Sequence, residues 1–157
     1  MTDIQPDMLT DCFTVDDLTW ESGRTIYEWW SAQAASGKIP ARKDFEPMKF
    51  AKYLPYISLI DTTDKRDKFH VRLIGTALTQ AMGYDPTGDQ VSTFKGSEEI
   101  YKRYNAVIDS KKPHMMLKTS LFWANKDYIH YHILYLPLSD DGETVNMLLV
   151  AIQFNKK

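Results

Sequence analysis

Hydrophobic positions follow two different periods in the first half of the chain, and each period predicts a different kind of element. Apolar side chains recur at helical spacing from Asp16 or Asp17, either a suitable N-cap, to Gly37, a suitable C-terminal stop. Residues 56–62 and 68–74 are instead short apolar runs joined by a charged turn at 63–67. Because two such runs around a short polar turn favour an antiparallel hairpin, the sequence predicts a long helix followed by two paired strands.

A helical region separates this hairpin from three longer strands. Gly75 stands between the second strand and the next helix, where its small size permits tight packing. Glu98 and Glu99 in a first helical turn, and Lys111 and Lys112 just past its end, suit the helix dipole. The predicted elements are helices at 76–82 and 97–110 and strands at 115–123, 128–136 and 143–154. We therefore predict an α+β fold, with a five-stranded antiparallel sheet, helices on one face and a long preceding N-terminal helix.

The length of the chain predicts one folded domain. At 157 residues it is long enough to bury a core without disulfides or a structural metal. Residues 1–14 lack clear periodicity and are predicted to be a flexible tail, mobile or loosely docked. Residues 15–157 are predicted to form a single domain that includes the N-terminal helix at 16–37.

Charge and cysteine content exclude several classes of function. A formal net charge of -2 provides no basic field for nucleic acid, so we expect no nucleic-acid partner. Cys12 is the only cysteine, which excludes an intramolecular disulfide and a cysteine-rich metal site. No stretch reaches the ~18 apolar residues needed to span a bilayer. We therefore expect a cytoplasmic protein with no membrane partner.

The N-terminal helix carries more apolar surface than one docked helix needs. Trp20, Tyr27 and Trp30 share one face at helical spacing, and Leu18 and Ile26 lie on the adjoining face. Together the two faces form an apolar arc of roughly 200°, which is wider than the stripe of an ordinary surface helix. Either the helix packs against its own domain on both sides, or one side meets a second copy of the chain. We expect a homodimer, with Trp20, Tyr27 and Trp30 at its interface.

Three short runs separated by ordinary sequence carry a family resemblance. They are Gly-Lys-Ile-Pro-Ala-Arg-Lys-Asp-Phe-Glu-Pro at 37–47, Arg-Leu-Ile-Gly-Thr at 72–76 with Gly-Tyr-Asp-Pro-Thr-Gly at 83–88, and Leu-Pro-Leu-Ser-Asp-Asp-Gly at 136–142. In order and spacing they resemble a small bacterial family in which one PAS domain, preceded by a Trp-rich helix, makes up nearly the whole protein. The resemblance covers residues 16–154 and implies a PAS-like fold and a sensory role.

The resemblance also implies where a ligand would bind. PAS domains generally have a cavity between the inner face of the sheet and the helices after the second strand. Arg72 is the residue with two readings: it either pairs with an acid on the outer face of the sheet or anchors a carboxylate or phosphate in the cavity. The candidate ligand-binding residues are Arg72, Met82, Tyr84, Tyr101, Tyr104, Trp123, His132 and Tyr135. Such a wall suits a small, partly apolar metabolite, unless the same side chains fill the space completely.

The identity of a cofactor stays open, but two common PAS cofactors are not expected. Haem-binding PAS domains commonly use a histidine on the long helix before the third strand, and residues 97–110 contain none. His130 and His132 share one face of a strand but have no evident third metal ligand. Covalent flavin chemistry needs a cysteine in the central helices, whereas Cys12 lies in the N-terminal tail. We therefore expect no haem, no covalently linked flavin and no metal.

No pattern of catalytic residues accompanies these features. Neither a Gly-x-Ser-x-Gly elbow nor a His-Glu-x-x-His sequence occurs, so we do not expect an enzyme. The prediction is a stand-alone PAS sensory module that binds a small metabolite and acts through contact with a separate signalling protein. The alternative is a structural adaptor with no ligand, which would use the exposed part of the Trp20, Tyr27 and Trp30 face.

Overall fold

A computed structural model describes residues 4–62, 68–121 and 126–154 of the chain. The helices are α1 (Glu21–Ala34), α2 (Thr76–Met82) and α3 (Ser97–Ser110), and a 3-10 segment spans Pro47–Tyr56. The strands are β1 (Ile57–Thr62), β2 (Phe69–Ile74), β3 (His114–Leu121), β4 (Lys126–Leu138) and β5 (Met147–Phe154). They form one antiparallel sheet in the order β2-β1-β5-β4-β3. The predicted α+β, PAS-like fold is thereby confirmed.

Both faces of this sheet are buried. We call the face that contacts α3 the inner face and the face that contacts α1 the outer face. Successive side chains of a strand point to opposite faces, so Ile133 of β4 and Val150 of β5 join the inner core. Their neighbours Leu134 and Leu149 join the outer core beneath α1. The two cores explain why the central strands are almost continuously apolar.

Helix α1 begins later than the sequence predicts. The predicted start was Asp16 or Asp17, but the helix starts at Glu21, and Trp20 is extended with φ -118° and ψ 143°. The carboxylate of Asp17 accepts a hydrogen bond from the backbone N–H of Thr14 at 2.8 Å, so it caps a separate 3-10 turn. In its extended conformation Trp20 is only 2% exposed. Burial of this large ring therefore decides where the helix begins.

The segment predicted to be a tail lies along strand β3. The N–H of Asp7 donates to the carbonyl of Leu117 at 2.7 Å. Thr10 and Met115 exchange backbone hydrogen bonds of 3.1 and 2.9 Å. Because β3 is an edge strand, its outward N–H and C=O groups have no ladder partner within the sheet, and the N-terminal segment supplies one. The part of residues 1–14 that the structure describes is therefore docked along β3.

The last strand is shorter than predicted because a turn occupies its expected start. The carboxylate of Asp141 accepts hydrogen bonds from the backbone N–H of Thr144 at 2.7 Å and of Glu143 at 2.8 Å. It also accepts one from the hydroxyl of Ser139 at 2.8 Å. These bonds, with that from Thr144 the strongest, hold the pKa of Asp141 well below its ordinary value. Residues 143–146 therefore belong to the turn, and β5 starts at Met147.

Candidate functional site

A small cavity lies between the inner face of the sheet and helices α2 and α3. Its volume is about 50 Å³. Most of its wall is apolar and comes from β1, β2, β4, β5 and the two helices. Four polar side chains interrupt this wall, namely Ser58, Arg103, Tyr104 and Tyr135. A mainly apolar space with a few convergent polar groups is the general character of a small-molecule site.

Helix α3 places a buried cation in this wall. Ile100, Tyr104, Val107 and Ile108 form the buried face of the helix, and Arg103 lies on the same face. Residues three and four apart share a helix face, so Arg103 follows Ile100 toward the sheet. Arg103 is only 3% exposed.

Hydroxyl groups hold the guanidinium in place. Its Nη1 donates to the hydroxyls of Tyr131 at 3.1 Å and Tyr135 at 3.3 Å. Its Nη2 donates to Oγ1 of Thr119 at 3.4 Å. Its Nε lies 3.6 Å from the carboxylate of Glu99, whose side chain is 51% exposed. The Nη edge therefore meets the inner face of the sheet, while the Nε edge contacts an acid near the surface.

The charge state of this cluster follows from burial. Burial by itself lowers the pKa of Arg103, but the phenol oxygens of Tyr135 and Tyr131 outweigh it, so the pKa is raised. Burial raises the pKa of Tyr135 and also that of Tyr104. At neutral pH the arginine is therefore a cation, and these two tyrosines are neutral and keep their hydroxyl protons.

Two further hydroxyls complete the polar part of the cavity. Ser58 on β1 is 6% exposed and Tyr104 on α3 is 7% exposed. Both residues contribute to the wall of the cavity. A hydroxyl can both donate and accept a hydrogen bond, so these two groups are suited to contact whatever occupies the cavity.

The structure brings some predicted ligand-binding residues to the cavity. Met82, Tyr104 and Tyr135 line it. Tyr101 lies one layer away, with its ring edge-on to Phe69 at 4.8 Å between centroids. Trp123 lies outside the described residues.

Three other predicted ligand-binding residues lie elsewhere. The side chain of Arg72 is 68% exposed and pairs with Asp61 at 3.7 Å, so the outer-face reading of this arginine is the correct one. Tyr84 is 50% exposed in the loop after α2. His132 faces α1, where its ring stacks on Trp20 at 5.4 Å between centroids. These three residues therefore lie outside the lining of the inner cavity.

The alternation of side chains along β4 explains the position of His132. His132 and Tyr135 are three positions apart on the same strand, and residues an odd number apart point to opposite faces. Only one of the two can face the cavity, and it is Tyr135. The same helical spacing that makes α3 amphipathic could have identified Arg103, because that spacing places a charged residue among apolar ones.

The two tryptophans predicted at a dimer interface are buried by the domain itself. Trp20 is 2% exposed and Trp30 is 9% exposed. The indole Nε1 of Trp30 donates to the carbonyl of Pro137 at 2.8 Å. Tyr27 is half-buried at the edge of the same outer core. The sequence left two alternatives for the wide apolar arc. Packing against the chain's own domain accounts for the burial of both tryptophans.

A second, open cleft lies on the outer side of the sheet. It has a volume of about 890 Å³, and its lining includes Glu21, Lys52, Lys118 and His132. Lys52 and Glu21 form an exposed ion pair at 3.1 Å. Nδ1 of His132 accepts the backbone N–H of Lys118 at 3.1 Å. Burial, and then the charge of Lys118, lower the pKa of His132.

Two negative observations concern metals and membranes. Within residues 4–62, 68–121 and 126–154, no group of three or more His, Cys, Asp and Glu side chains is placed to hold a metal ion. None of the helices in these ranges has the length and apolar character needed to cross a membrane.

Comparison with known proteins places this fold in a family. The PAS domain family matches residues 18–153. Among solved structures, the PAS domain of histidine kinase ThkA aligns with 62% of this chain and 97% of its own, at 14% identity and a TM-score of 0.47. A sensory box sensor histidine kinase from Vibrio cholerae aligns with 69% of this chain and 88% of its own, at 8% identity and a TM-score of 0.44. No curated protein matches this chain.

The fold and the family match together define an α+β sensory module. The chain belongs to the PAS domain family, because that family covers most of its length. PAS domains are sensory and signalling modules, and they are typically not catalytic.

Proposed function

We propose that this PAS domain is a sensor that binds a small molecule in the inner cavity and acts through contact with a separate signalling protein. The observation that carries the proposal is Arg103, a buried cation on the cavity wall. Its guanidinium and the hydroxyl groups that it contacts bring polar groups to an otherwise apolar cavity, which is the general character of a small-molecule site. The buried hydroxyls of Ser58 and Tyr104 support the same interpretation.

The size of the cavity limits the ligand. The volume is about 50 Å³, whereas pockets for drug-sized ligands measure roughly 300–1,000 Å³. A water molecule occupies about 30 Å³ of the liquid, so the cavity admits a molecule of only a few non-hydrogen atoms. A larger ligand would require α2 or α3 to move away from the sheet.

The sheet connects this cavity to helix α1. On β4, Tyr135 lines the cavity while the adjacent Leu134 packs in the outer core. On β1, Ser58 lines the cavity while Leu59 packs in the outer core. A ligand that shifts either strand therefore also shifts side chains beneath α1. A ligand-driven change in the population of two α1 packings would be enough to alter a partner's binding surface.

The first test compares the mass of the purified protein under native and denaturing conditions. A small mass that is present only under native conditions would support the sensor. A native mass equal to that of the bare chain, together with an unchanged melting temperature in fractionated metabolite extracts, would contradict it. The same native spectrum reports whether the chain is a homodimer.

A protein–protein adaptor without a ligand is the second candidate, and one surface favours it. An apolar groove of about 410 Å³ is lined by residues that include Phe45, Leu54, Pro55 and Leu73. Leu73 is 42% exposed, unlike the buried Trp20 and Trp30 of the predicted surface. If Leu73→Lys abolishes co-purification of a partner while the native protein carries no ligand, the adaptor replaces the sensor.

A further inference from the structure

One peptide group in strand β3 joins the N-terminal segment to the open cleft on the outer side of the sheet. It is the peptide group between Leu117 and Lys118. Its N–H donates to Nδ1 of His132 at 3.1 Å, and its C=O accepts the N–H of Asp7 at 2.7 Å. A trans peptide is planar, with its N–H and C=O on opposite sides, so neither group turns without the other. Any change at the His132 ring that turns this peptide therefore also acts on Asp7.

The backbone at this peptide is strained. Lys118 has φ 54°, which lies in the left-handed region that residues other than glycine adopt uncommonly. It lies within an irregularity of the β3–β4 pairing between Met116 and Thr119. A half-turn of the peptide changes ψ of Leu117 and φ of Lys118, and it brings this φ to negative values that any residue adopts. The two hydrogen bonds of the peptide thus hold a conformation that backbone sterics disfavour.

The protonation state of His132 decides whether the first of these bonds forms. Because Nδ1 accepts a backbone N–H, the ring is in its neutral form with its proton on Nε2. A protonated imidazole carries an N–H at both nitrogens and has no acceptor. Its Nδ1–H would face the N–H of Lys118, and the two donors would repel each other. A half-turn of the peptide removes this conflict, because it presents the carbonyl of Leu117 to Nδ1–H. The same turn withdraws that carbonyl from Asp7.

The surroundings of the ring set the pH at which it takes up a proton. The ring stacks on Trp20 and lines the open cleft. Burial, and then the charge of Lys118, lower the pKa of His132 below its ordinary value. The state with a neutral ring is therefore favoured at neutral pH, and it loses this advantage as the pH falls through the lowered pKa. The charged and titratable groups around the ring come from every neighbouring element, namely Lys118 of β3, Glu21 of α1, Lys52, Tyr53 and Tyr56 of the 3-10 segment, and His130 on the same face of β4, whereas β5 contributes the uncharged Gln153 and Phe154.

We infer that the peptide between Leu117 and Lys118 is a proton-operated switch, in which a proton on His132 turns this peptide and releases Asp7 from strand β3. The proton comes from solvent in the open cleft and binds Nδ1, while Nε2 keeps its own. The bonds from the N–H groups of Lys118 and Asp7 are lost, and one from Nδ1–H to the Leu117 carbonyl is gained. This switch lies outside the inner cavity and adds an input that needs no ligand there.

NMR spectroscopy of the full chain tests the switch. The nitrogen shifts of the His132 ring report its tautomer and its titration. Hydrogen exchange, corrected for the intrinsic effect of pH, reports the protection of each backbone N–H. Thr10 is the internal control, because it exchanges its backbone hydrogen bonds with Met115 and not with the turned peptide.

We expect the Nε2–H tautomer of His132 at neutral pH. Between about pH 8 and about pH 4.5, the protection of the Asp7 N–H should fall at least about tenfold, with the midpoint of the His132 titration, while that of the Thr10 N–H changes less than about threefold. An Nδ1–H tautomer at neutral pH, or protection of Asp7 that does not follow the titration of His132, would overturn the inference.

Two matched variants assign the change to His132. His132→Gln removes the titrating ring, while its amide oxygen can still accept the N–H of Lys118, so Asp7 should stay protected over the same pH range. His130→Gln is the control, because it removes a histidine two positions earlier on the same strand and should keep the wild-type transition. A transition that persists in His132→Gln, or one that disappears in His130→Gln, would overturn the inference. If His132→Gln does not fold, the wild-type titration decides alone, because Asp7 and His132 must then share one midpoint.

Discussion

Replacing Trp30 with phenylalanine tests how helix α1 is attached to the sheet. The indole Nε1 of Trp30 donates to the carbonyl of Pro137 at 2.8 Å. The next carbonyl, that of Leu138, accepts from Asn146 on the β5 side of the strand. Successive carbonyls of a strand alternate sides, so the Pro137 oxygen points to the β3 side of the strand. Strand β3 begins at His114, which pairs with Tyr135, so β3 has no residue opposite Pro137. Trp30 supplies the partner that the sheet lacks at this position.

The cost of Trp30→Phe can be estimated from this geometry. The bond is buried, and removing the donor leaves the carbonyl without its partner, which costs about 1–3 kcal/mol. The smaller phenylalanine ring also loses packing in a residue that is 9% exposed, which adds roughly 1 kcal/mol. For a domain of this size each kcal/mol lowers the melting temperature by about 2–4 °C. The two costs sum to about 2–4 kcal/mol, so we expect a total decrease of roughly 4–16 °C.

The assay is thermal unfolding followed by circular dichroism, supported by urea unfolding to measure the free energy. Trp29→Phe is a matched control, because it makes the same substitution one position earlier. Trp29 is half-buried and makes edge-on ring contacts with Phe45 and Phe50 at 5.3 and 6.2 Å between centroids. Phenylalanine can keep much of these contacts, so we expect a loss below about 1 kcal/mol. Equal destabilisation by the two variants would refute the role given to the Trp30 hydrogen bond.

Three further variants test other parts of the structure. Gly75→Ala would place a methyl group that overlaps the carbonyl group of Pro55. We expect the free energy of unfolding, measured with urea, to fall by at least about 2 kcal/mol. An unchanged urea midpoint would contradict this contact. Because the pKa of His132 is lowered in the folded protein, the neutral form is favoured there, and its contribution to stability is present above about pH 6.5 and lost as the pH falls through the lowered pKa. Melting temperature against pH should therefore fall less steeply on the acid side in His132→Gln than in the wild type or in His130→Gln, and identical profiles would argue against it. Arg72→Ala removes an exposed ion pair and should change the free energy of unfolding by less than about 1 kcal/mol, so a larger loss would show a role beyond that pair.

Local signals in the sequence were enough to predict the central helices. Helix α3 has the predicted bounds, Ser97–Ser110, because acids mark its first turn and lysines follow its end. Helix α2 also has its predicted bounds, Thr76–Met82. The tight packing predicted at Gly75 is present, since its backbone lies against the carbonyl groups of Pro55 and Leu54. The start of α1 depends partly on contacts between Trp20 and residues far away in the sequence, such as His132, and the predicted boundary there was wrong.

The candidate site was predicted less well than the fold. Met82, Tyr104 and Tyr135 do line the cavity, whereas Arg72 and His132 do not. The prediction gave more weight to the chemistry of each side chain than to its position along the strand. That position decides which face of the sheet a residue occupies, and it separates His132 from Tyr135. Arg103 was missed although its helical spacing with Ile100 and Tyr104 was visible in the sequence.

The sequence by itself determined the order of elements, the antiparallel sheet and the family, because these depend on local periodicity and on short motifs at defined spacing. Only the tertiary structure decided what covers each apolar side chain. An amphipathic pattern shows that Trp20 and Trp30 must be buried, but their partners His132 and Pro137 lie more than 100 positions away in the chain. The size of the inner cavity was decided in the same way. It depends on how closely α2 and α3 approach the sheet, and this approach results from the packing of all the side chains between them.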